Sequence, residues 1–493
     1  MTQSRNLIFL IFAKPLVLLL LSGAIGAFGQ SFNSGTSFGV SSAVNRGPEA
    51  IRAEDVDKDG HLDLVTADNG FITFLMGDGT GGFPDLRTRV TEPVNDAEEV
   101  TADNNTDLAF GDLDGDGDQD LLVTHTRLND FPSVLIFPND PLGVFDGSST
   151  PLTESERVPQ FPSALLLGHF NPTIDPYLDL VVVGSQSPRV KIFRGNSLSG
   201  FTPGPEENLL TSSFAQNVDS GDFDGDGNLD LAIADRLRVW VLYGDGTGSF
   251  PEKESLITDF ASNAHREWDV EMVDMDRDGH LDLVVSNGGR GGAMSETRSS
   301  VVVVFGTGGR ALNGQMVAVD VGKKAAGLAV EDFDNDLLPD IVAAVPETDN
   351  DTGGAAYIRN LGERGFQVVP ELFFPARGRG TFSVTSGDFD ENGRPDVALG
   401  NEGVFSDIIE DVSPNVVVYL STLESIPTPT PTSTSTPVPT LTITPTRAPT
   451  STPTITPTPT ITPTFSPGDV NRDHAIDGRD MLILLEQQGN TQP

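Results

Sequence analysis

Short apolar runs rich in Val, Leu, Ile and Ala recur across residues 31–423: LDLVTA, QDLLVT, LDLVVVG, LDLAIA, LDLVVS, PDIVAA and PDVALG. A second run follows each of them: FITFLMG, SVLIFPN, RVKIFRG, RVWVLYG, SVVVVFG, AAYIRNLG and NVVVYLS. Runs of β-branched and aromatic residues bounded by Gly, Asp and Asn read as strands and turns. Most of the second runs lead into a Gly-rich turn and a Phe, as in GDGTGGF from Gly77 and GDGTGSF from Gly244. About four strands per unit fit this pattern, and nothing between the units has helical periodicity.

Ahead of each first run the polar positions alternate instead. In SGDFDGDGNLDLAIAD, from Ser220, aspartates 222, 224, 226 and 230 take positions 1, 3, 5 and 9 of a short loop, with Gly227 at position 6. Alternate side chains of a tight loop converge, four carboxylates supply oxygen and charge, and the position-7 carbonyl of Asn228 can complete six to eight oxygen ligands. Like charges that close repel strongly unless a cation sits among them. Calcium is the expected occupant, since magnesium keeps several waters and no His or Cys is placed to favour a transition metal.

The loop is also complete at Asp55, Asp57, Asp59 and Asp63; at Asp112, Asp114, Asp116 and Asp120; and at Asp274, Asp276, Asp278 and Asp282. A sixth copy, Asp332, Asp334, Asp336 and Asp340, has Leu337 at position 6, and a seventh, Asp388, Asp390, Asn392 and Asp396, exchanges one Asp for Asn. The third copy, GHFNPTIDPYLDL, has His169 and Asn171 at positions 1 and 3 and is two residues longer before Asp179, so it is expected to bind calcium poorly or not at all. Counted from position 1, the seven copies are spaced 57, 57, 53, 52, 58 and 56 residues apart, the regularity of one repeated unit.

Repeated four-stranded units arranged about an axis make a β-propeller, which leaves only short, protected sheet edges. The expectation is an all-β, seven-bladed propeller, with a solenoid as its competitor. Closure is favoured because SFNSGTSFGVSSAV, from Ser31, has the turn and last strand of a unit without its beginning, whereas the final copy stops after VVVYLS. The first strand would then complete the last blade.

With GDFDGDGNLDLAIAD and RVWVLYGDGTGSF as its clearest copies, residues 30–423 resemble the FG-GAP/VCBS repeats also found in integrin α-chain propellers. The resemblance implies calcium in the hairpin joining the first two strands of most blades, about six ions in all.

Residues 1–29 read as a secretory signal peptide, with Arg5 before an apolar run and small residues near Ala27. An uncleaved anchor is the competing reading, but Lys14 and Pro15 leave an apolar piece shorter than the roughly 20 residues a span needs. The chain is therefore expected outside the cell, secreted or cell-surface associated, with no membrane span after cleavage. It has no cysteine, which excludes disulfides and thiol chemistry, so bound calcium would have to supply rigidity. A formal charge of −42 argues against nucleic acid, and seven divalent ions would bring it to about −28.

Residues 424–467 turn abruptly to Thr, Pro and Ser, a disordered, semi-rigid linker that at about 3.1 Å per residue can span on the order of 100 Å. In residues 468–493, Asp469, Asn471, Asp473, Asp477 and Asp480 return to loop spacing, and Met481 to Leu485 begin a helix. This segment resembles one type I dockerin repeat, which implies a further calcium site and a cohesin-like partner. Dockerins normally carry two such repeats, so another partner, or a terminal mark alone, is the alternative.

No catalytic constellation stands apart from the acidic loops. Gly77, Gly79 and Gly82 match G-x-G-x-x-G, but Phe83-Pro84 follows in place of a helix. Asp146, Ser148 and Thr150 resemble part of a metal-dependent adhesion motif without its α/β context. Long connections at 286–300, 346–354 and 401–414 offer Arg290, Arg298, Glu347, Asp349, Glu402 and Phe405, with Trp268 nearby, as a recognition surface, against a reading as unconstrained loop growth. Non-catalytic recognition of an extracellular glycan or protein is the expected function. A polysaccharide hydrolase or lyase is the alternative, and either a buried pair of acids or a Tyr, Arg and His group in the central channel would favour it.

Overall fold

The computed structural model describes residues 31–422 apart from several stretches, the longer being 41–47, 91–105, 126–132, 257–266, 288–298 and 403–414; the signal, linker and tail readings lie outside the described residues. The chain forms an all-β propeller of seven antiparallel blades. Six blades follow chain order, the first being Ala50–Glu54, Asp63–Asp68, Phe71–Met76 and Asp85–Val90. In the seventh, Arg379–Gly387, Asp396–Glu402 and Asn415–Tyr419 take their fourth strand, Thr36–Gly39, from the start of the chain. The sixth blade adds a short fifth strand, Phe374–Pro375, alongside its third.

Second and third strands are apolar on both faces because both faces are covered by neighbouring blades. Leu64 packs toward blade 7 and the adjacent Val65 toward blade 2. The described residues contain seven apolar clusters, one at each junction between successive blades, and the cluster of Ile51, Leu64 and Leu75 with Ala398, Val416 and Val418 closes the ring. The residue at loop position 2 enters these junctions in all seven blades, from Met275 at 0 % exposure to Leu113 at 7 %. Each loop is therefore anchored by an apolar plug beside its acids.

Closure is a strand pairing. Thr36, Ser37, Phe38 and Gly39 pair with Val418, Val417, Val416 and Asn415, and Ser31–Phe32 pairs with Ser421–Thr422. Phe38 packs edge-on against Phe83 of blade 1, 5.2 Å between centroids, so the same strand supports two blades. Gly35 is required here: its φ is +73°, and a Cβ would sit 2.6 Å from the Tyr419 ring.

Removing residues 31–39 uncovers the edge of Asn415–Tyr419. At about 0.5–1.5 kcal/mol net per backbone hydrogen bond, plus the Phe38 contact, the loss should be several kcal/mol. Chemical unfolding with gel filtration checks this; the expected result is a lower midpoint and self-association through the exposed edge.

Candidate metal centres

In six blades the chain leaves the first strand at loop position 1 and enters the second at position 9; in blade 3, with its longer loop, the second strand starts at Asp179. The turn is held by its own acids. The position-6 N–H donates to the position-1 carboxylate in six blades, for example Gly60 to Asp55 Oδ2 at 3.1 Å and Gly393 to Asp388 Oδ2 at 2.7 Å. The position-7 N–H donates to the position-5 carboxylate, as His280 does to Asp278 at 3.0 Å and Asn228 to Asp226 at 2.9 Å. Position 6 is left-handed throughout these six loops, and Leu337 adopts φ +74° where the others use glycine. Position 4 is left-handed as well, at Lys58, Arg277, Asn335, Glu391, Gly115 and Gly225, a feature its mixed composition hid.

The backbone turn brings the acids together. Ligand oxygens of Asp55, Asp57 and Asp63 lie within 4.8 Å of one another, and the same holds for Asp222, Asp224 and Asp230 and for Asp274, Asp276 and Asp282. In blades 2 and 6 the convergent triads are Asp112, Asp114 and Asp116, and Asp332, Asp334 and Asp336. In blade 7, Asn392 N–H donates to Asp388 Oδ1 at 2.9 Å and Asp390 Oδ1 at 3.2 Å, which draws those carboxylates together. The donor set fits a hard cation. Asp55 Oδ1, Asp57 Oδ1 and Asp222 Oδ1 are buried and accept no hydrogen bond, an expensive condition that a calcium ion among them would relieve.

Position 9 has a second role that loop spacing alone did not suggest. Asp230 is fully buried; its Oδ2 accepts the Phe223 N–H at 2.9 Å and its Oδ1 the Gly244 N–H at 2.8 Å, at the end of the third strand. Asp63, Asp120, Asp282 and Asp396 make the same pair of bonds. One carboxylate thus ties loop to blade, and the remaining lone pairs are left for an ion. Burial pushes Asp63, Asp282, Asp340 and Asp396 up to about 7, and Asp179 and Asp230 up to about 6.

Blade 3 solves the same problem differently. Asn171 is fully buried, and its amide Nδ2 donates to Asp175 Oδ2 and Asp179 Oδ1, each at 3.3 Å. A neutral donor bridges the two carboxylates, in keeping with a loop that lacks the first two aspartates.

The loops lie at blade junctions. The position-2 carbonyl accepts a bond from the next blade: Val56 from Asn139 Nδ2 at 2.9 Å, Met275 from Asn360 Nδ2 at 2.8 Å, and Phe389 from Gly81 N–H at 2.8 Å. The first strands line a central cavity of about 530 Å³. Counting back from each loop, the third residue faces it, which places Arg52, Asp219 and Glu271 in one layer, and the fifth places Asp107 and Asp269 in another. Arg52 Nη2 pairs with Asp107 Oδ1 at 2.8 Å. Asp107, Asp219 and Asp269 each accept a backbone N–H from the first strand of the next blade, those of Leu165, Met272 and Leu328, at 2.7–3.1 Å. Glu271 has no such bond, and burial with Asp219 and Asp269 beside it holds its carboxyl well above the usual range. These channel charges were missed; their signal is polar residues at alternate positions of an otherwise apolar first strand.

The FG-GAP-like repeat matches residues 55–123, 175–233, 222–285 and 298–399. The chain belongs to the FG-GAP-like repeat family. No curated protein matches it. Among solved structures, an Agrocybe aegerita lectin described as recognising non-reducing terminal N-acetylglucosamine is similar at 18% identity, over 64% of this chain and 78% of that one, with a TM-score of 0.41. BBS1N, solved in complex with ARL6DN, is similar at 11% identity over 79% and 98%, with a TM-score of 0.46. Of the FG-GAP-like acids named from sequence, all those in the propeller fall in the loops just described, and those at 469–480 lie outside the described residues. So do the side chains of the seven residues named for the recognition surface.

Leu337→Gly should stabilise the chain. It relieves a left-handed leucine, worth about 1–2 kcal/mol, against roughly 0.5–1 kcal/mol of added chain entropy. An increase of up to about 1 kcal/mol in chemical unfolding is expected.

The raised aspartates set a pH dependence. With folded values near 6 to 7 against an ordinary 3.8, the metal-free folded chain holds more protons than the unfolded one. Their contribution is therefore full below about pH 4 and is lost as pH rises to about 7. Metal-depleted protein should unfold more easily at about pH 7.5 than at about pH 5.5, and saturating calcium should reverse that order, as urea titrations at both values will show.

Proposed function

We propose that this FG-GAP-like propeller is a secreted, calcium-stabilised module that recognises an extracellular glycan or protein without catalysing a reaction, with its dockerin-like tail attaching it to a partner. The observation that carries the reading is the convergence of carboxylates, some with buried oxygens that accept no hydrogen bond, at loops wedged between blades. Converging carboxylates at a blade junction would surround an ion with protein oxygens, so an ion there would act on the scaffold. A rigid ring then offers its connections and its channel for binding. Export and tail attachment are supported by the sequence pattern alone.

The channel favours a second reading, a polysaccharide hydrolase or lyase. Glu271, whose carboxyl burial and the neighbouring Asp219 and Asp269 hold above the usual range, with Arg52 near, is the kind of pairing that general acid catalysis uses. Against it, three of the neighbouring acids are engaged as acceptors between blades, which explains them structurally.

Calorimetric titration of the chain with calcium, followed by glycan-array and matrix-protein binding with and without chelator, tests both. About six ions in the propeller, a large stability loss on chelation and calcium-dependent capture with no product released are expected. Turnover of a captured polysaccharide that Glu271→Gln abolishes would favour the enzyme; absence of calcium binding would overturn the scaffold reading.

A further inference from the structure

The six acidic loops that carry the position 1, 3 and 5 pattern are not equivalent. The turn between the third and fourth strands of a blade reaches the loop of the blade before it, and in blades 5 and 6 that turn carries an arginine. Arg310 Nε lies 2.5 Å from Asp224 Oδ2 and its Nη2 3.1 Å from Asp226 Oδ2, positions 3 and 5 of loop 4. Arg364 repeats this one blade on, with Nε 2.6 Å from Asp276 Oδ2 and Nη2 3.7 Å from Asp278 Oδ2 in loop 5. Each guanidinium also lies over an aromatic ring of the blade it grips, Arg310 5.3 Å from the Tyr243 centroid and Arg364 4.4 Å from that of Phe305. In loop 6 an arginine of the same blade, Arg359, pairs with Asp334 Oδ2 at 2.6 Å and Asp336 Oδ2 at 3.4 Å.

The other three loops lack this arrangement. Among the described residues no lysine or arginine lies within ion-pair distance of Asp112, Asp114 or Asp116 in loop 2, where Lys58 of blade 1 pairs instead with Asp118 at position 7, or of Asp388 or Asp390 in loop 7. In loop 1 the nearest approach is Arg87 to Asp57 at 3.9 Å.

We propose that Arg310, Arg364 and Arg359 are tethered cations that lower the metal affinity of loops 4, 5 and 6, so that loops 7, 1 and 2 fill first and the propeller titrates in two classes. This rests on the reading of the loops as calcium sites. The affinity of an oxygen cage follows the charge its ligands bring. A guanidinium that takes one oxygen of two ligands neutralises part of that charge and repels an incoming dication. The same contacts hold blade 5 to blade 4 and blade 6 to blade 5 when metal is absent. The junctions at loops 7 and 1 are held by pairs of another kind, His61 with Glu391 and Lys58 with Asp118, which do not occupy the carboxylates at positions 1, 3 and 5.

Calcium titration of the whole chain by calorimetry, with hydrogen exchange of the chelated form, tests this. Two affinity classes of about three sites each are expected, with exchange after chelation rising more in 112–118 and 388–393 than in 222–228 and 274–280. In Arg310→Ala/Arg364→Ala, two sites should move from the weak class toward the tight one by about tenfold, and the chelated protein should melt earlier than wild type. Arg310→Lys/Arg364→Lys, which keeps charge while losing the fork and the ring contact, should fall between them and serves if the alanine variant does not fold. Binding in a single class, or weaker binding in the arginine variants, overturns the proposal while leaving the calcium sites intact. Absence of binding at any loop overturns the calcium reading and this inference with it.

Discussion

In each blade an aspartate enters the second strand with its carboxylate almost wholly inside the protein, from Asp63 to Asp396. In five blades its two oxygens accept N–H groups from the loop and from the end of the third strand, so a short loop, a plug residue and a blade are fixed by one group; in blade 6 the Tyr357 hydroxyl replaces the loop donor at Asp340. Burying that charge beside the acids at positions 1 and 3 creates a deficit of positive charge that something must relieve. The chain uses different means in different blades: an asparagine amide in blade 3, arginines at loops 4 to 6, and, at loops 7, 1 and 2, where no arginine grips positions 3 and 5 together, a proton or a metal ion.

The ring itself is an apolar construction. The residue four before each loop is buried in all seven blades, from Ile51 at 0 % exposure to Val384 at 5 %, and together with the position-2 plug it fills the junctions. The first strands face the channel with one unpaired edge each. Asp107, Asp219 and Asp269 take up backbone donors from neighbouring first strands, which gives part of the channel charge a structural cause before any ligand is considered.

Loops and channel therefore divide the chemistry. The loop acids act on the junctions between blades, where a cation changes how firmly neighbours hold. Arg52 and Glu271 face the central cavity of about 530 Å³, where a change of charge would be felt by whatever enters.

Local pattern determined much of this protein. Alternating aspartates and a position-6 glycine specify a tight loop from backbone sterics and converging side chains alone, and a spacing of 52–58 residues specifies the repeat. Even the closure was legible, since SFNSGTSF matches the missing end of the last unit, and strand pairing needs only complementary edges. Tertiary structure decided what depends on contacts between blades. Arg310 and Asp224 are 86 residues apart and meet only because each turn overhangs the preceding loop. The double use of the position-9 aspartate and the gathering of Arg52, Asp219 and Glu271 in the channel likewise arise from packing, because they bring together residues that no period along the chain connects.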